Sequence, residues 1–374
     1  MSRARDLADL GGSADAGGLT GRNLIINGAF QVWQRATAAT AVGGSEVVNT
    51  ADRWTFWEST DGAFTTEQST DVPSGQGFAY SLKAACTSAD TSLAAGQFSL
   101  IGHKIEAQNL SHLNYGTSSA KTMTLSFWVK SNKTGTYCFS IEKHDETDYI
   151  LIKEFSVSSA DTWEKKTLTI TPDSNIKASA GAITNDNGLG LRLLWALALG
   201  TTYNSGSDDG TWTDSTLFGT TNQVNWMDSD SNEFYITGVQ LEVGSTATPF
   251  EHESYDATIQ KCYRYYFKLF PALSQANYLG TCYVKNSTQS RVVVDFPVPL
   301  RTKPTAIEQT GTANDYATFV AGTQTTCTAV PTYTNYGSAN SQIAQFTSSG
   351  LTNGHAGDGR ATDADGFLAW SAEL

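Results

Sequence analysis

The chain has 374 residues, with 24 Lys and Arg against 37 Asp and Glu, so its formal net charge is −13. Phosphate contact needs a clustered cationic face, and this balance argues against nucleic-acid binding. Charged residues make up 16% against a usual figure of about 25%, while aromatics reach 11% and glycine 33 residues, the composition of a β-rich, extracellular-facing protein.

The longest apolar stretch, Leu193 to Leu199, is far shorter than the roughly 20 residues that cross a bilayer, so no membrane insertion is expected. The N-terminus never develops the apolar core of a signal peptide, and export through a secretory route is not expected. Cys86, Cys138, Cys262, Cys282 and Cys327 are widely separated with no Cys-x-x-Cys spacing, which encodes neither a disulfide framework nor a zinc site. They read as small buried thiols.

Residues 1–22 carry five glycines and few aromatics, and cannot bury enough apolar surface to offset ordering entropy unaided. They read as an arm ordered by a partner or as a loose leader. From Asn23 to His252, strands of period two alternate with Gly, Asn, Asp and Ser clusters, the pattern of an antiparallel sandwich. In Thr122 to Lys130, Met123, Leu125, Phe127 and Val129 share one face and Thr124, Ser126, Trp128 and Lys130 the other. Tyr137, Phe139 and Ile141 repeat this after a turn at Asn132 to Gly135, which predicts a hairpin.

Leu189 to Leu199 is apolar on both faces and should be a central, doubly covered strand. Phe234 and Ile236 are out of phase with Val239, Leu241 and Val243, and a bulge at Gly238 would restore the register. Around Ser254 the period changes. Tyr255, Ile259, Cys262, Tyr263 and Tyr266 form one helical stripe, capped by Ser254 and stopped by Pro271, so residues 253–270 are expected to be a linking helix of about three turns. Residues 271–374, with strands at Tyr278 to Lys285 and Ser290 to Phe296, read as a smaller β-sandwich.

Catalytic signatures are missing: there is no His-Glu-x-x-His, Gly-x-Ser-x-Gly or Gly-x-x-x-x-Gly-Lys, and no two of the five histidines share metal-ligand spacing. Asp228, Asp230 and Asn232 offer oxygen ligands at alternate positions, which suits a structural calcium ion, but the glycine and glutamate of an EF loop are missing. A solvated turn outweighs that reading. His144, Asp145, Glu146 and Asp148 read as a hairpin tip rather than a metal site. No other cofactor is implied.

The tryptophans are more informative. Trp54, Trp57, Trp128, Trp163, Trp212 and Trp226 are many for one domain, and a flat indole on a sandwich surface is a platform for the apolar face of a sugar. Trp128, opposite the core face of its strand, and Trp212, after the acidic segment Asp208 to Gly210, are the candidates for glycan stacking. Burial against the second sheet or a neighbouring subunit is the weightier alternative, since tryptophans are highly buried on average.

Three stretches together resemble bacteriophage tail-fibre and virion structural proteins: NLIINGAFQVWQR (Asn23 to Arg35) with TADRWTFW (Thr50 to Trp57), ITGVQLEVGSTATPFEHESY (Ile236 to Tyr255) running into CYRYYF (Cys262 to Phe267), and FPVPLRTKPT (Phe296 to Thr305). FLAWSAEL (Phe367 to Leu374) is similar to the usual final strand of that family. The resemblance implies a mainly β fold in four parts: a virion-docking arm (1–22), a jelly-roll β-sandwich like a carbohydrate-binding module (23–252), the short linking helix (253–270) and a smaller C-terminal β-sandwich (271–374). It also implies a homotrimer. The leader MSRARDLADL resembles the head of marine phage fibres, which implies docking to other virion proteins through Arg3 and Arg5. The shaft that many fibres carry is missing, which favours a compact appendage.

The expectation is therefore a non-enzymatic virion protein, made in the host cytoplasm and placed on tail or capsid, that recognises host-surface glycan. A structural adaptor or capsid decoration protein is the first rival. A glycan depolymerase, which would need two facing carboxylates, is the second.

Overall fold

A computed structural model describes residues 21–40, 46–269, 277–363 and 365–374. Twelve strands lie in the first part of the described chain: β1 (Ala38–Thr40), β2 (Glu46–Val47), β3 (Trp54–Glu58), β4 (Ala63–Ser69), β5 (Ser81–Ser88), β6 (Phe98–Glu106), β7 (Met123–Ser131), β8 (Gly135–Lys143), β9 (Tyr149–Val157), β10 (Glu164–Ile170), β11 (Leu189–Leu199) and β12 (Glu233–Val243). They form two six-stranded antiparallel sheets, ordered β1-β4-β5-β12-β7-β10 and β2-β3-β6-β11-β8-β9. This is the antiparallel β-sandwich that the period-two pattern predicts.

Alternation decides what lies between the sheets. Met123, Leu125, Phe127 and Val129 of β7 are buried in one core with Trp54, Phe56, Leu191, Leu193 and Trp195 of the opposite sheet. Trp195 sits at its centre, 5.8 Å from Phe127 and 5.1 Å from Phe139 between ring centroids. The other face of β11 is apolar too. Leu194, Ala196 and Leu199 join Phe98, Leu100, Cys138 and Ile150 in a second cluster that Phe218 and Tyr203 close over, so β11 is covered on both sides as its composition requires.

The register of β12 slips between Thr237 and Gln240, and Gly238 there has φ +61°. A Cβ on it would lie 2.5 Å from Phe78 Cζ, so glycine serves both the left-handed backbone and the close approach of the ring. Near the start of the described chain, the Glu251 carboxylate accepts the amide hydrogens of Gly21, Arg22 and Asn23 at 2.5–3.0 Å.

The hairpin expected from Thr122 to Ile141 is not formed. β7 pairs with β10 and β12, and β8 with β9 and β11, so the turn at Asn132 arches from one sheet to the other. Asn132 holds the arch with its side chain, donating to Ser231 O at 2.8 Å and accepting from Glu233 N at 2.9 Å.

The chain divides into two units, the first running through Thr258 and the second spanning Ile259–Glu373. The helix that follows β12 in the chain is Tyr255–Tyr263, capped by Ser254, whose Oγ accepts from Ala257 N at 3.3 Å. It is shorter than the predicted 253–270. Tyr266 fits the helical stripe but lies on β13 (Tyr266–Leu269), which pairs with the last strand, β21 (Leu368–Ser371), and this long-range ladder overrides the local period. Pro271 lies outside the described residues.

In the second unit the other strands are β14 (Asn277–Asn286), β15 (Gln289–Asp295), β16 (Tyr316–Val320), β17 (Thr323–Thr326), β18 (Ala329–Tyr333), β19 (Ser341–Thr347) and β20 (Ala356–Ala361), in one sheet ordered β17-β16-β20-β14-β15-β19-β18. Its edge strands, β17 and β18, are joined by Cys327 and Thr328 alone, so the sheet curls until its edges meet. Cys327 N donates to Tyr316 O at 2.8 Å and Thr328 N to Thr347 O at 2.7 Å, each extending the ladder of its own margin, so the chain passes from one edge to the other between adjacent residues. The β13–β21 ribbon supplies Phe267, Leu368 and Trp370 to the core inside. All five cysteines are buried and none is in a disulfide among the described residues. Among the described residues no helix is long and apolar enough to cross a membrane.

Candidate functional site

The most chemically varied surface of the first unit is the outer face of the sheet that contains β7 and β12. Because Phe234 and Ile236 point into the core, Glu233, Tyr235 and Thr237 point outward; Lys130 and Trp128 of β7 do likewise and lie directly across from Tyr235 and Thr237. On the other side of β7, Trp128 faces the exposed Lys165 of β10. The result is a diagonal of aromatic and ionic side chains. Phe78, with Phe250 and His252 against it, covers the sheet beyond the Gly238 bulge.

Lys130 is the hub of this face. Its stem is buried along the sheet, and its ammonium pairs with Asp71 while lying 4.1 Å from the Tyr235 ring centroid and 6.0 Å from that of Trp163. Trp163 donates its indole N–H to Asp71 Oδ1 at 2.9 Å and meets Tyr235 edge-on at 6.2 Å. Tyr235 donates its hydroxyl to Glu233 Oε2 at 2.8 Å, and Lys83 pairs with Glu233 Oε1 at 2.8 Å. Trp128 is half-buried and makes no hydrogen bond or ring contact among the described residues, so part of its indole remains in contact with solvent.

Two carboxylates flank the aromatics. Burial alone would raise the pKa of each, but hydrogen bonds from Lys130 and Trp163 outweigh it at Asp71, and those from Lys83 and Tyr235 do so at Glu233, holding both below the ordinary carboxylate range. Burial and the Glu233 carboxylate push the Tyr235 phenol up. Both acids are thus fixed as anions, suited to accept hydrogen bonds from hydroxyls. Neither resembles the raised-pKa proton donor that glycoside cleavage needs.

The sequence candidates separate here. Trp128 lies on this face. Trp212 does not: it is 0% exposed, donates its indole N–H to Thr171 O at 3.0 Å and meets Tyr115 edge-on within the core, so it offers no surface for stacking. Indole area excluded from water counts for more than any contact a loop tryptophan could make outside. Asp228 pairs with Lys133 and accepts from Asn232 Nδ2 at 2.8 Å, while the same amide group donates to Trp226 O at 2.7 Å. With an ammonium and an amide donor on Asp228, the run through Asp230 to Asn232 is a hydrogen-bonded turn rather than a calcium site. No group of three or more His, Cys, Asp or Glu among the described residues is arranged to hold a metal. Arg3 and Arg5 lie outside the described residues.

Sequence reasoning missed Lys130, Tyr235, Trp163 and Asp71 as companions of Trp128. Lys130 was findable, two positions along the polar face of the same strand. Asp71 was not, because only the order of strands in the sheet brings it near.

No protein-family model matches the chain, and no curated protein matches it. Among solved structures, its neighbours at low identity are carbohydrate-binding modules and a phage tailspike domain. The enzymatically active domain of bacteriophage CBA120 tailspike protein 4 is 12% identical over 60% of this chain, with a TM-score of 0.28; the match spans 22% of the tailspike chain. A putative sugar-binding protein from Bacteroides thetaiotaomicron is 13% identical over 59% of this chain and 100% of its own, with a TM-score of 0.31. The family 11 carbohydrate-binding module from Clostridium thermocellum, solved with a β-1,3-1,4-mixed-linked tetrasaccharide, is 11% identical over 56% of this chain and 98% of its own, with a TM-score of 0.29.

Proposed function

We propose that the first unit is a non-catalytic glycan-recognition module, and that the chain is a virion appendage of the tail-fibre type that presents it to a host surface. The observation that carries the reading is the half-buried Trp128 indole, without a hydrogen-bond partner among the described residues, on the same sheet face as a fixed set of hydrogen-bonding groups. A sugar stacks its apolar face on such a ring while its hydroxyls meet Lys165 and the flanking anions Asp71 and Glu233, at small entropic cost because the two carboxylates are already held by Lys130, Trp163, Lys83 and Tyr235. Glu233 and Asp71, both held ionised, support binding over cleavage.

The virion assignment rests on the sequence resemblance of Asn23 to Arg35, Ile236 to Tyr255 and Phe296 to Thr305. In a homotrimer, three shallow sites acting together supply avidity that one would not. The deciding experiment is a glycan array of host-surface polysaccharides, probed with the full chain and with Trp128→Ala. Binding that falls about tenfold or more in the variant, the scale of about 1.4 kcal/mol, supports the reading. Silence of the unaltered chain across the array overturns it and leaves an adaptor or decoration protein.

A further inference from the structure

The second unit carries an unexplained surface of its own. Among the described residues most large aromatics are buried, and the large apolar side chains that are exposed are all tyrosines: Tyr255, Tyr278, Tyr283 and Tyr336. Two of them bracket one arginine. The β14–β15 hairpin places Tyr283 directly opposite Arg291, and because Cys282, Val284 and Val292 face the core, both point outward. Arg291 Nη1 donates to the Tyr283 hydroxyl at 3.0 Å, and its guanidinium carbon lies 4.4 Å from the ring centroid of Tyr336, which comes from the β18–β19 connection.

What sets Arg291 apart is its missing counter-ion. Arg360, on the same sheet, is held by both oxygens of Asp358 at 2.6 and 3.1 Å. Arg291 has no carboxylate partner among the described residues. Neither has Lys285, two positions beyond Tyr283, whose Nζ meets only the neutral Gln289 at 3.4 Å. The charge map agrees. Residues 259–373 hold 8 Lys and Arg against 7 Asp and Glu, a balance of +1, so the remaining 16 and 30 give −14 and the acidity of the chain lies in the first unit. Charges more than about 8 Å away are largely screened at physiological salt, and an anion at Arg291 meets a local cation.

We propose that Arg291, clamped between Tyr283 and Tyr336, is a binding site for a hexuronic-acid residue of an acidic polysaccharide. The guanidinium spends one Nη1 hydrogen on Tyr283 and its Nε is buried, which leaves the end of the fork, the remaining Nη hydrogens, for a carboxylate. A uronate carries its carboxylate on the pyranose ring itself, so the ring lies on the phenol of Tyr283, 42% exposed, or of Tyr336, 69% exposed, while the carboxylate reaches Arg291. An acidic peptide fits less well, because its flexible side chains must lose rotamer freedom that a rigid sugar does not have. The site is separate from Trp128 and lies in the other unit.

The test is calorimetric titration of the full chain with tetragalacturonate, its fully methyl-esterified form and a tetraglutamate peptide. The acid should bind, with the ester and the peptide each about tenfold weaker or more. Arg291→Gln should lose about ten- to a hundredfold in affinity for the acid, the usual range for a charge-assisted pair. Arg291→Lys, which keeps charge but not the fork, should fall between. Tyr336→Ala, in an exposed loop, should lose less but measurably, and Trp128→Ala should change nothing, which separates this site from the first. No binding of tetragalacturonate, equal binding of the ester or of the peptide, or an Arg291→Gln variant with unaltered affinity overturns the proposal.

Discussion

Trp163 donates its indole N–H to Asp71 Oδ1 at 2.9 Å, across 92 positions of sequence, and that bond sets the angle at which the ring meets Tyr235. Since Lys130 pairs with the same carboxylate beneath the rings, one anion orders an ammonium and two aromatics at once. The preorganisation of this outer face therefore depends on a residue from the β4–β5 connection rather than on its own sheet.

This arrangement fixes a pH response. Lys130 and Trp163 hold the Asp71 carboxyl below its ordinary 3.8, so its contribution is complete above that value and is lost as the pH falls through the lower, folded one. The Trp163 indole N–H resonance should titrate with a midpoint below 3.8. Asp71→Asn should abolish that titration and cost about 1 kcal/mol of stability, the worth of an exposed pair plus one hydrogen bond. A midpoint at or above the ordinary value would show that the carboxylate is not engaged in solution.

Trp128 and Trp212 should behave as opposites. Trp212→Ala empties a core position and should cost about 3–5 kcal/mol, read as a lowered urea midpoint. Trp128→Ala should stay within about 1 kcal/mol while weakening glycan binding. Equal stability losses would place Trp128 in the packing instead of on the recognition face.

The two tryptophans show where local pattern stops being informative. The alternation of β7 placed Trp128 correctly because side-chain direction follows from period two alone. Likewise β11 was legible as a central strand and Gly238 as a bulge, because each is written in the phase of neighbouring residues. Trp212 sits in a loop, where no period indicates inside or outside. The turn at Asn132 to Gly135 suits a hairpin and an inter-sheet arch equally. Partners some 100 residues away, Ser231 and Glu233, choose between them. Asp71 and Tyr235 join Trp128 and Lys130 for the same non-local reason, the order of strands in the sheet.

Glu58 should limit stability at neutral pH. Its side chain is buried at the end of β3, and desolvation, helped by the nearby Asp90 charge, raises its pKa above the ordinary 4.5 despite hydrogen bonds from Thr60 at 2.5 Å. An acid whose folded pKa is raised binds its proton more tightly when native, so stability falls as the pH rises from 4.5 through the folded value. Glu58→Gln keeps an acceptor for Thr60 and removes the charge. Its urea midpoint should exceed that of the unaltered protein at pH 7, with the advantage vanishing near pH 4; an advantage that persists unchanged at pH 4 would assign the gain to packing.

Asn27 fixes the turn within the opening stretch Asn23 to Arg35. Its buried side chain accepts from Gln31 N and Val32 N at 2.8 and 3.0 Å and donates to Val32 O and Asp52 O at 2.9 and 3.0 Å, while its backbone, at φ +61°, takes a conformation that asparagine tolerates and alanine does not. Asn27→Ala loses all four bonds and adds strain, and should cost about 3 kcal/mol or more, since each orphaned buried group costs about 1–3. Asn27→Gly loses the bonds but not the conformation and should be about 1 kcal/mol milder. Equal midpoints for the two variants in chemical denaturation would show that the left-handed backbone carries no strain there, leaving the hydrogen bonds as the whole reason for asparagine.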